Sequence, residues 1–136
     1  MLSTLLICLG AGIILALGLV HLFYTFVGSK LLPRDTALHV AMQNAHPQLT
    51  RQTTMWRAWV GFNASHSMGA ILFGLIYIHL AVWHALLGSP FLCGLGVLVL
   101  LGYLWLGWRY WFSVPLRGIA IATLLFVAGV GVGLWA

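Results

Sequence analysis

The run AWVGFNASHSMGAILFGLIYIHLAVWHALLGSPFLCGLGVLVLLGYLWLGW, residues 58–108, contains no Lys, Arg, Asp or Glu. A helix crossing the hydrocarbon core of a bilayer needs about 20 mainly apolar residues. The run therefore holds two crossings, with the break at Leu87-Gly88-Ser89-Pro90, where turn-forming residues collect. Stretches 1–29 and 118–136 are equally free of charge, and each accommodates one more crossing. The sequence thus predicts four spans, near 4–27, 57–85, 91–112 and 116–135.

Composition points the same way. Hydrophobic residues make up 62% of the chain, charged residues 5%, and mean hydropathy is +1.07. An ordinary soluble domain carries roughly 25% charged residues. The expected fold class is all-α: an integral membrane four-helix bundle, residues 1–136 forming one transmembrane domain, with a short interfacial helix between spans 1 and 2. Residues 1–29 read as a span and not as a cleaved signal peptide, because no basic segment or small-residue cleavage site accompanies the long apolar run.

The basic residues orient the bundle. Lys30, Arg34, Arg51 and Arg57 flank the first connection, and Arg109 and Arg117 flank the third. The positive-inside rule places those connections in the cytoplasm and both termini on the outer, periplasmic side of a bacterial inner membrane. The net charge of +5 is in this reading a topology signal, with attraction to lipid headgroups as its companion. No basic stripe suits nucleic acid. Trp56, Trp59, Trp105, Trp108, Tyr110 and Trp111 cluster near the same boundary, as an aromatic belt would.

Within 31–56, Pro33 suits the first turn of a helix and Pro47 its end. Leu38, Ala41, Met42 and Ala45 recur at the spacing of one apolar face. His39, Gln43 and His46 fall on another face, and the two histidines read as solvated. Thr53 and Thr54 are candidate caps for the second span.

GFNASHSMG, residues 61–69, interrupts the apolar pattern of span 2. Polar side chains inside hydrocarbon are rare and mark buried interfaces or working sites. On a helical wheel Asn63, His66 and Tyr77 share one stripe, and Gly61, Ser65 and Gly69 form a neighbouring stripe of small residues. His21, in span 1, falls at a depth similar to that of His66, with Tyr24 and Thr25 one turn away. The candidate ligand-binding set is therefore His21, Tyr24, Thr25, Asn63, His66, Ser67 and Tyr77. Candidate helix-packing residues are Gly61, Ser65 and Gly69 in span 2 and Gly129 and Gly133 in span 4, because small residues let helix backbones approach in lipid. Cys8 and Cys93 read as buried thiols, with a disulfide as the alternative.

HLFYTF at 21–26 and MWRAWVGFNASHSMGAILFGLIY at 55–77 resemble a group of small four-span bacterial inner-membrane proteins in which a GFN-x-SH-type stretch opens the second helix. The resemblance covers about the first 80 residues. It implies fold and location only, with no activity and no site residue.

The single acidic residue, Asp35, lies outside the spans. That leaves no paired carboxylates for general acid–base work and no Ser-His-Asp triad. The leading expectation is a non-enzymatic accessory or structural subunit that packs against lipids or against the transmembrane helices of a complex or homo-oligomer. The alternative is binding of a lipophilic ligand (a quinone, an isoprenoid or a lipid) at a His21/His66 site. Those two histidines are also the minimum ligand set for a single b-type haem. No other metal site is expected: His39 and His46 have no cysteine or carboxylate beside them.

Overall fold

The computed structural model describes residues 1–135. Its elements are α1 (Leu2–Phe26), α2 (Thr36–Asn44), α3 (Met55–Val82), α4 (Pro90–Tyr110) and α5 (Ser113–Trp135). Four of them, α1, α3, α4 and α5, are long and apolar enough to cross a membrane. The protein is a multi-pass, all-helical four-helix bundle with a short helix between its first two spans.

The ends of these helices are set by local chemistry. Asp35 caps α2, its carboxylate accepting from the Ala37 amide at 2.8 Å. Capping by Asp35 moves the start of α2 beyond Pro33, which stays outside the helix. Of the two candidate threonine caps, Thr54 does the work at α3, where its hydroxyl accepts from the Arg57 amide at 3.3 Å. Ser89 caps α4 in the same way through Leu92, with Pro90 in the first turn where no amide is needed. Pro115 sits in the first turn of α5 for the same reason, and the helix accordingly starts at Ser113.

The end of α3 is less ordinary. The His84 amide donates to Ala81 O at 3.2 Å and the Ala85 amide to Leu80 O at 2.9 Å. These are the paired bonds of a Schellman motif, whose left-handed position is usually filled by glycine. Here it is filled by His84, with φ 55°. A side chain in this conformation costs roughly 1–2 kcal/mol. His84→Gly is expected to stabilise the protein by about 1 kcal/mol, read from the midpoint of unfolding in a denaturing detergent. A lower midpoint would contradict this account of the turn.

The chain forms two compact units, Met1–Leu17 with Ala70–Ala136, and Gly18–Gly69. Helices α1 and α3 contribute to both. The first unit holds the core. Ile7, Ala11 and Ile14 of α1 face Ile119, Ala122, Phe126 and Val130 of α5, all buried at helical spacing. Ala70, Phe73, Tyr77 and Ala81 supply the α3 face, and Cys93 and Leu100 that of α4. Phe73, Tyr77 and Phe126 stack at centroid distances of 4.5, 6.0 and 5.2 Å, arrangements that aromatic pairs favour.

Glycines permit the closest approaches in this unit. A Cβ at Gly10 would lie 2.7 Å from Ala122 O, and one at Gly74 would lie 2.6 Å from Leu15 Cβ. At Gly129 it would lie 2.7 Å from Ile7 Cγ1 and 2.9 Å from the Ile7 amide nitrogen. At Gly133 it would meet Leu87 and the Ser3 hydroxyl, each at 2.5 Å. The Ser3 hydroxyl also donates to Gly129 O at 2.7 Å, tying α1 to α5. Both cysteines are free; Cys93 donates its thiol proton to Leu86 O.

Candidate functional site

The second unit holds three of the candidate site residues together. His21 Nε2 and Asn63 Oδ1 lie 2.9 Å apart, and the Asn63 amide nitrogen donates to Trp59 O, one turn back on α3. The amide oxygen is thus the acceptor, which makes His21 Nε2 the donor of the pair. The imidazoles of His21 and His66 meet edge to face, with centroids 5.5 Å apart and planes at 86°. All three side chains are half-buried. The sequence builds this cluster simply. His21 falls on the last turns of α1, and Asn63 and His66, three apart, fall on one face of α3.

The remaining candidates do other things. Thr25 donates to His21 O and Ser67 to Asn63 O, each at 2.8 Å and each to its own helix four residues back. Hydroxyls in apolar helices commonly satisfy themselves this way. Ser67 is fully buried and Tyr24 is exposed beside Phe23. Tyr77 belongs to the core of the first unit, where its hydroxyl donates to Leu92 O at 2.9 Å. It shares a wheel direction with His66 but sits 11 residues further along α3, about 16 Å at the helical rise.

The small-residue stripes divide. Gly129 and Gly133 are packed tightly inside the first unit. Gly61, Ser65 and Gly69 are all exposed, and a Cβ at Gly61 would meet nothing within 4 Å. Ser65 turns its hydroxyl back to Phe62 O at 3.1 Å, which leaves a smooth apolar strip. Met68, Leu72 and Leu75, exposed by 62%, 58% and 54%, extend the same side of α3.

No family model, curated protein or solved structure matches the chain. Its own geometry is therefore what constrains its role.

Two features went unread in the sequence. Trp59 reaches back to donate its indole N–H to Leu31 O at 3.3 Å, latching the α1–α2 connection to α3. His39 and His46 were expected on a solvated face. His46 is indeed exposed, its Nδ1 donating to Thr53 O at 2.7 Å, whereas His39 is half-buried with its ring against Trp56 at a centroid distance of 4.5 Å. Leu38 and Val40 of the same helix are exposed. Tryptophan two residues after a potential cap was the available signal.

Among the described residues no group of three or more His, Cys, Asp or Glu is placed to hold a metal ion. A haem between His21 and His66 would need two ring nitrogens opposed across the iron with the macrocycle between them. Rings already in edge-to-face contact, one bonded to Asn63, present a hydrogen-bonded pair better than two opposed ligands. No buried side-chain N or O among the described residues lacks a partner.

Interhelical hydrogen bonds in membrane proteins contribute about 0.6 kcal/mol on average and up to about 1.7. Asn63→Ala is expected to lower stability by that order, as is His21→Ala, with little further loss in the double variant. Unfolding midpoints of the three proteins measure the coupling; strictly additive losses would mean that the pair does not act as one.

Proposed function

We propose that this protein is a small accessory membrane subunit that docks onto a transmembrane helix of another chain through the Gly61–Ser65–Gly69 side of α3. One observation carries the reading: two stripes of small residues exist, and only one is consumed inside the chain. In lipid there is little hydrophobic force between helices, so close backbone approach over small residues supplies the attraction. Exposed stripes of this kind leave that attraction available to a partner. The absence of catalytic carboxylates supports a non-enzymatic role. We place the protein in a bacterial inner membrane with both termini outside, from the basic residues of the first and third connections.

The test is gentle extraction in mild detergent. A complex larger than one chain is expected, formed with a second membrane protein or with further copies of this one. A stable, monodisperse monomer with no co-purifying chain would contradict the proposal.

A second reading draws on the His21–Asn63–His66 cluster. Paired imidazoles within apolar helices suit the polar end of a lipophilic molecule such as a quinone. Native mass spectrometry separates the readings: equal bound small molecules in wild type and His66→Ala would remove it. The absorbance spectrum tests the haem form of the same site, because a Soret band is unmistakable.

A further inference from the structure

Lys30, Leu31, Leu32, Pro33, Leu38, Met42 and Trp59 line a broad surface cavity of about 410 Å³ in the second unit, more open than enclosed. Its volume falls in the range of small-ligand sites, about 300–1,000 Å³. The walls are hydrocarbon, and Trp59 is fixed in place by its bond to Leu31 O. Lys30 is the one charged residue of the lining.

We propose that this cavity is a binding site for an anionic glycerophospholipid, with the phosphate on Lys30 and the upper part of one acyl chain against Leu31, Leu38, Met42 and Trp59. Charge complementarity selects the occupant. Asp35, the single acid of the chain, is engaged as the cap of α2, so no carboxylate competes for Lys30. Arg34, Arg51 and Arg57 add further positive charge on the same connecting segment and its flank. Apolar walls exclude a purely water-soluble anion as the preferred guest, because such a ligand would leave them wet. The site also explains the exposed Leu32 and Leu38, which lie outside the spanning helices. It is independent of the docking side of α3 described above, since it draws on Lys30, α2 and Trp59.

Native mass spectrometry of the intact protein, equilibrated with phosphatidylglycerol and phosphatidylcholine of identical chains, tests the assignment. The wild type should retain one phosphatidylglycerol with a preference of about fivefold, the Boltzmann value of one basic side chain's attraction to an anionic lipid surface. Lys30→Gln, an exposed substitution that leaves the fold intact, should lose most of that preference. Leu38→Trp, which fills the cavity, should lose the retained lipid of either kind. Equal retention of the two lipids by the wild type would overturn the proposal, as would a full phosphatidylglycerol preference in Lys30→Gln. Displacement of the lipid by excess inorganic phosphate alone would also overturn it, since the apolar walls would then contribute nothing.

Discussion

Gly129→Ala is expected to destabilise the bundle by about 1–3 kcal/mol, the usual cost of forcing a methyl group into a full core. The added carbon would lie 2.7 Å from Ile7 Cγ1, 2.9 Å from the Ile7 amide nitrogen and 3.0 Å from Leu6 Cβ. Two of these neighbours are at or next to the α1 backbone, so a side-chain rotation cannot clear the space. Helices α1 and α5 would have to separate, and the Ser3 bond to Gly129 O would lengthen with them. Gly61→Ala is the natural control, because the same methyl group there meets nothing within 4 Å. Its effect on the isolated chain should stay within about 0.5 kcal/mol. Unfolding midpoints in mixed detergent measure both; equal losses at the two positions would contradict the packing described for α1 and α5.

The double variant Gly61→Ile, Ser65→Ile should reverse that pattern. Both positions are exposed in the chain itself, so its own stability should hardly change. Branched side chains there would hold a partner helix away from the α3 backbone, where close approach is the source of attraction. If the overpacking cost of about 1–3 kcal/mol falls on the interface, the dissociation constant should rise roughly 5- to 150-fold. Sedimentation in detergent, or co-purification with the partner, reads the loss. A variant that associates as the wild type does would remove the α3 side from the interface.

The four spans were legible because hydrocarbon imposes a length: a chain without charge from 58 to 108 has little choice but to cross twice. Helix ends were less legible, since single side chains move them. Asp35 shifted α2 past Pro33, and His84 closed α3 in a conformation that sequence reasoning reserves for glycine. The contact of His21 with Asn63 and His66 followed from depth and wheel position together. Tyr77 shows what the wheel alone conceals, since direction agreed while depth did not. The two small-residue stripes look alike as letters. Gly129 faces Ile7 and Gly61 faces open space, a difference that depends on which helices neighbour each other and so is absent from either local pattern. The contact of His39 with Trp56 was hidden for the same reason: its partner belongs to another element.

A photo-crosslinking residue placed at Ser65 in intact membranes tests the docking of α3 most directly, with Leu124, exposed by 71% on α5, as the lipid-facing control. The account predicts one discrete protein adduct from position 65 and only lipid adducts from position 124. Lipid adducts alone from both positions would contradict it.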